Sequence, residues 1–304
     1  MGRGRAYSPC GISSMFQVCI PPGAAPPEQV GSRGGGFCIS KGVIATVKVE
    51  DSGDFIVETL VNGKPVDMYV AKKVVEKILD KHVGSREFKV KIEQQIEVPI
   101  GCGFGTSAAS ALAVGLALNK ALNLNLNITE IARIAHIVEV ECYTGLGTVS
   151  GLITGGVVLV VKPGAPREDK TLRIPVPNNI KIVAAASKPM SKKDIILSEE
   201  LVKEINVLGK KLVDEVQANP TFKVFLKAAK TFTQQSKLIT PWVKEAIKVA
   251  EESGAIIALQ NMIGEAVHAV VIEDSVDSVS KALEKITENV IVTDIYKGKV
   301  DSEV

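Results

Sequence analysis

The chain has 304 residues, with 36 Lys plus Arg against 34 Asp plus Glu, a net charge of +2 and 46% apolar residues. That length allows one or two domains with a real core. The balance excludes a disordered chain and a dedicated nucleic-acid binder with a strongly basic face, and 4% aromatics leave little for stacking on single strands. Five cysteines (10, 19, 38, 102 and 142) without a CxxC pair and three scattered histidines suit neither a disulfide framework nor a His-rich metal site. No apolar run approaches a membrane-spanning length, and the N-terminal MGRGRAYSPCGISSMF lacks a clean apolar core and cleavage site. The expected compartment is the cytoplasm.

The first 60 residues read as strand punctuated by glycine, with a β-branched run at 37–49. Residues 54–61 and 64–70 flank Asn62-Gly63, a strong hairpin signal because both residues tolerate positive φ. Apolar side chains recur at helical spacing over 70–82, and 87–98 alternates as a half-buried strand does. Pro99 to Gly105 is a glycine loop, followed by an Ala- and Leu-rich helix over 106–122 and a second helix near 129–142 with Thr129 as its N-cap. A second glycine-rich stretch, TGLGTVSGLITGG (144–156), precedes a buried strand at 157–161. Beyond it, 180–186 is a strand, 191–252 is helical with breaks near Asn219-Pro220 and Thr240-Pro241, and 255–295 returns to strand, helix and strand. Strands and helices do not alternate regularly, so the expected class is α+β, with a soft boundary near 175–180 that gives lobes 1–177 and 178–304.

The most informative stretch is Pro99-Ile100-Gly101-Cys102-Gly103-Phe104-Gly105-Thr106-Ser107-Ala108-Ala109. Alternate glycines let backbone approach a ligand closely, and free N–H groups at a helix start attract anions, a phosphate above all. No Lys follows the last Gly, so this is not a Walker A loop, and Thr106 stands where the dinucleotide fingerprint needs Gly. The plain alternative is a tight turn whose glycines serve packing only.

This motif resembles the phosphate-binding motif of the GHMP kinases. The segments YSPCGISSMF, GSRGGGFCISKGV, TGLGTVSGLITGG and ALQNMIGEAVHAV are similar, in the same order, to those of one branch, the archaeal pantoate kinases. The resemblance implies the GHMP kinase fold, two α+β lobes with ATP in the cleft between them. It also implies ATP- and Mg²⁺-dependent phosphorylation of (R)-pantoate to (R)-4-phosphopantoate on the route to coenzyme A. The implied partners are small molecules, with no nucleic acid and no membrane, and a homodimer is plausible from the family. ATP contacts are expected along Pro99, Gly101, Cys102, Gly103, Phe104, Gly105, Thr106, Ser107 and Ala108.

By the same resemblance, Ser107 and Glu139 are expected to hold Mg²⁺. Glu139 stands on a mostly apolar stretch, IARIAHIVEVEC, where a carboxylate is costly unless paired or metal-bound; Glu141 is its competitor, and a solvated glutamate the alternative. His136 either orients Glu139 or is simply packed. Arg33, beside three glycines, either holds a substrate carboxylate or is a solvated loop arginine. Lys41, Ser13 and Ser14 are further candidates for the same cleft. Cys102 is either a small filler or a low-pKa thiol at a helix start. Two departures from the family stand out. Thr148 replaces the Asp of Thr-Gly-Leu-Gly-Asp, and no Asp occurs between Asp80 and Asp169 to stand in. Val160 replaces an arginine for the acid substrate, the nearest arginine being Arg167. The first departure leaves open a nucleotide-binding protein of weak activity, the second a different hydroxy acid or isoprenoid precursor as acceptor.

Overall fold

The structure is a computed structural model and describes residues 2–21, 23, 25–190, 198–298 and 300. The first sheet contains β1 (Gly2–Cys19), β2 (Gly31–Asp51), β3 (Ile56–Val61), β4 (Lys64–Pro65), β5 (Phe88–Ile96), β6 (Val157–Lys162) and β7 (Lys170–Ile174). Its order is β4-β3-β5-β2-β6-β7, with β1 along the other edge of β2. Only β3 and β5 run parallel; the remaining pairs are antiparallel. The 21-residue β2 pairs with β6 through Gly34–Phe37 and with β5 through Val43–Asp51.

Helices α1 (Tyr69–His82), α2 (Thr106–Ala121), α3 (Ile128–Glu141) and the short α4 (Thr148–Thr154) accompany this sheet. α2 is apolar on every side and buried along most of its length, as a central helix must be. It lies close against β1: a Cβ on Gly2 or Gly4 would stand 1.8 Å from the Ala121 carbonyl oxygen or 1.9 Å from that of Ala117.

The chain then enters a second sheet, ordered β11-β8-β10-β9, from β8 (Ile180–Lys188), β9 (Ile257–Gln260), β10 (Glu265–Ile272) and β11 (Asn289–Asp294). Between β8 and β9 run α5 (Glu199–Ala218), α6 (Phe222–Gln235) and α7 (Pro241–Glu252); α8 (Val276–Leu283) precedes β11. α7 and α8 cover a separate apolar cluster on this sheet, while one large core joins the first sheet, α1–α4, α5 and α6. α5 sits directly on β1, where Gly209 approaches Phe16 so closely that a Cβ would lie 2.1 Å from its carbonyl oxygen. All five cysteines are free, with Cys10 and Cys38 buried across the β1–β2 pairing.

Four local expectations change. The hairpin turn forms with positive φ at Asn62 and Gly63, but its second arm stops at Pro65, which has no N–H for a ladder, and helix begins at Tyr69. Asn127, not Thr129, caps α3, exchanging bonds with Glu130 in a capping box. The glycine-rich 144–156 contains α4. The strand foreseen at 37–49 begins at Gly31, because Gly34, Gly35 and Gly36 are strand residues squeezed between β1 and β6. Residues 191–197, foreseen as helical, lie outside the described residues.

Candidate active site

The loop before α2 has φ of +78°, +80° and +62° at Gly101, Gly103 and Gly105, a region that glycine enters without strain. Space excludes side chains as well: a Cβ at Gly103 would lie 2.8 Å from the Asn261 Cβ, and one at Gly105 2.8 Å from the Thr148 methyl and 2.9 Å from the Gly11 carbonyl oxygen. The loop carbonyls are held. Met190 N–H donates to Gly101 (3.1 Å), Gly11 N–H to Phe104 (3.1 Å) and Ala109 N–H to Gly105 (3.0 Å). In a trans peptide a pinned C=O turns the following N–H the opposite way. Gly105 is the N-cap of α2 and the first-turn N–H groups carry no side-chain cap, a geometry that favours anions in general. Thr106 is buried and Ser107 half-buried in this turn, and neither hydroxyl serves as the cap.

A cavity of about 100 Å³ opens beside this loop. Gly11 and Thr148, which touch Gly105, also form its wall, together with Ser13, Gly34, Gly147 and Met262. Among the described residues no charged side chain lines it, and Val160 is part of the lining. Ser13 is fixed there by its carbonyl, which accepts from Met262 N–H at 2.8 Å.

Glu139 is buried and its carboxylate lies just behind that wall. Thr144 Oγ1 donates to Oε1 at 2.5 Å, and a Cβ on Gly145 would stand 2.2 Å from Oε2. Gly145 itself lines the cavity. Glu141, the competitor, forms a partly exposed ion pair with Lys77 at 2.8 Å. His136 does not orient Glu139: its Nε2 bonds the Val30 carbonyl at 2.9 Å, and burial lowers its pKa.

Arg33 is a strand residue rather than a loop one, and the structure does not bring it to the cavity lining. Its guanidinium is held by Asp214 (2.6 Å), Gln17 and Gln217 (3.1 Å each) and the Val161 carbonyl (2.9 Å). Lys41 is likewise elsewhere, in an exposed pair with Glu97 at 3.1 Å. Cys102 is no low-pKa thiol, since burial pushes it up. Sequence reasoning missed Gly11 and Asn261, which flank the glycine loop across long sequence separations. The only signal for Asn261 was its place in ALQNMIGEAVHAV.

Residues 69–156, from α1 through the glycine loop to Gly156, match the GHMP kinases N terminal domain. The chain carries that domain, adopts the GHMP kinase fold, and is a small-molecule kinase. Its relatives narrow the class. It is 29% identical to the pantoate kinase of Methanocaldococcus jannaschii over 95% of this chain and 99% of that one. It is 28% identical to the pantoate kinase of Thermococcus kodakarensis over 96% and 95%. A solved structure described as a phosphotransferase related to the CoA biosynthesis pathway superposes with a TM-score of 0.86 at 25% identity, covering 98% of both chains. No helix among the described residues is long and apolar enough to cross a membrane.

Proposed function

We propose that this chain transfers the γ-phosphoryl group of ATP to the 4-hydroxyl of (R)-pantoate, giving (R)-4-phosphopantoate and ADP in the cytoplasm, on a route to coenzyme A. The observation that carries this reading is the contact of Gly105, at the end of the anion loop, with Gly11 and Thr148 of the cavity wall. A phosphate held on the loop and an alcohol held in the cavity are then neighbours, and positioning of this kind supplies much of phosphoryl-transfer catalysis. The near full-length similarity to two pantoate kinases supports pantoate as the acceptor. On this reading the first lobe, 1–177, holds the phosphates and 178–304 closes the cleft.

The donor set suits Mg²⁺, which takes hard oxygens and keeps phosphate and water ligands rather than needing an all-protein cage. Glu139 would supply one buried carboxylate and Ser107 one hydroxyl. Bound there, the ion would neutralise charge on the phosphate oxygens. Glu139 is oriented by Thr144, and Ser107 by the first turn of α2. The acceptor oxygen forms the new bond to phosphorus as the bond to the ADP oxygen breaks. Thr148 is no base at neutral pH, and the described lining holds no carboxylate, so the proton leaves late, to a phosphoryl oxygen or to water.

Val160 in the lining, where the family has an arginine, favours a second reading, the same chemistry on another hydroxy acid or an isoprenoid precursor. One experiment separates the two: ADP release by purified protein with ATP, Mg²⁺ and, in turn, pantoate, mevalonate, homoserine or shikimate. Pantoate is expected to give the highest kcat/KM. Turnover of another acceptor with pantoate inert overturns the acceptor assignment, and no turnover or ATP binding overturns the kinase mechanism.

A further inference from the structure

Ser14 and His268, 254 positions apart, are fully buried and joined through Ser14 Oγ and His268 Nε2 at 3.0 Å. The other ring nitrogen, Nδ1, lies 2.8 Å from Asn261 Oδ1. Asn261 Nδ2 in turn donates to the Cys102 carbonyl of the glycine loop, a long bond of 3.5 Å. Chemistry fixes the directions. The Cys102 carbonyl only accepts, so the amide nitrogen of Asn261 faces it; Oδ1 then accepts from Nδ1–H, and Nε2 is left to accept from the Ser14 hydroxyl. Each donor points towards the loop, an arrangement in which successive bonds polarise one another. Burial holds the imidazole neutral, with its pKa lowered to about 3, as this tautomer requires.

Both ends of the relay are structurally specified. The β1–β2 register shifts between Ser13 and Met15, so Ser14 sits in a bulge, a device that re-aims a side chain. At the other end, Asn261 packs against Gly103, and Gly264 packs so tightly on Cys102 that a Cβ would lie 2.4 Å from its carbonyl oxygen. The peptide between Cys102 and Gly103 needs such a hold. Glycines at 101 and 103 leave it free to rotate, and rotation would turn the Gly103 N–H away from an anion.

We infer that Ser14, His268 and Asn261 are positioning residues that lock the Cys102–Gly103 peptide plane for nucleotide phosphate binding. The inference rests on the kinase reading of the loop. None of the three is assigned contact with substrate; they act through the loop backbone.

The test uses the full chain with two shape-conserving variants. Asn261→Asp keeps the acceptor for His268 but sets an oxygen against the Cys102 carbonyl. Ser14→Ala removes one oxygen at the far end. Calorimetry with Mg-ADP is expected to show about a tenfold rise in Kd for Asn261→Asp and about threefold for Ser14→Ala, the scale of one hydrogen bond and less. The KM for ATP should rise in parallel while the acceptor KM stays within about twofold, a split that general loosening of the fold would not produce. Folded variants with wild-type ADP affinity, or with both KM values raised together, overturn the inference and leave the kinase reading standing. Wild-type protein that binds no ADP overturns the kinase reading and the inference with it. Should Asn261→Asp fail to fold, Ser14→Ala decides by the same criteria.

Discussion

Ser107 and Thr148 face different tasks although both are hydroxyl residues in the first turn of a helix. Ser107 is assigned to charge: Ser107→Ala is expected to lower kcat by about 10²-fold, the scale of one lost transition-state stabiliser. Its melting temperature should stay near wild type, because the hydroxyl is not the cap of α2. Steady-state kinetics beside a thermal melt would check both halves, and full activity in a folded variant removes the metal assignment. Thr148 is assigned to packing and at most one hydrogen bond. Thr148→Ala should therefore cost about tenfold or less in kcat/KM, whereas a loss of thousands with normal ATP binding would make the hydroxyl essential. His268 makes a prediction about pH. Its folded pKa is lowered from the ordinary 6.5 to about 3 by burial, so between those values the unfolded chain binds a proton that the folded chain does not. Stability from this group is complete above about pH 6.5 and is lost as pH falls towards 3, by several kcal/mol in order of magnitude. Urea midpoints should fall from pH 7 to pH 4, with a flatter slope in His268→Gln. An equal slope in both would deny His268 the role.

The loop and α2 work as one element. Gly105→Ala places a methyl against the Gly11 carbonyl and the Thr148 methyl at a φ of +62°; the backbone conformation alone costs about 1–2 kcal/mol. Loss of Mg-ADP binding by at least tenfold is expected, with a modest fall in melting temperature; unchanged binding would show that the loop tolerates displacement. This element was legible in the sequence because its information is local: alternate glycines, then an apolar run without polar breaks. An N-cap for α3 was legible in kind but misplaced by two residues, since Asn127 and Thr129 are both good caps and only geometry chooses between them. α4 was hidden because glycine marks loops in sequence, yet Gly147 and Gly155 here bracket a helix. Arg33 was misread for the same reason, as three following glycines look like a loop until β1 and β6 are seen pressed against them. The hold of Asn261 on Cys102 spans 159 positions, and no local pattern reports such a contact.

At the scale of the whole molecule, α5 ties the second half of the chain to β1 of the first sheet. Gly209 is a close point of that contact, and Arg33 reinforces it by reaching Asp214 and Gln217 of α5 from β2. Gly209→Ala forces helix and strand apart and should destabilise by about 1–3 kcal/mol, the usual range for overpacking. Arg33→Ala should cost less on the Asp214 side, since that carboxylate is partly exposed and keeps Lys210 at 2.8 Å. Chemical denaturation of both variants tests the order; a larger loss for Arg33→Ala would move the main tie from packing to charge.

The unpaired cysteines give the fold a built-in clock. Only the thiolate reacts with an alkylating reagent, and burial pushes Cys38 up to about 12 and Cys10 higher still, while both side chains are closed off in the core, Cys38 against the Leu152 carbonyl of α4. Cys19 and Cys142 are only half-buried. Mass spectrometry of native protein exposed to iodoacetamide should show those two labelled first. Carbamidomethylation of Cys10 and Cys38 then waits until the core packed on the two longest strands opens, so their rate of labelling times the lifetime of the native state.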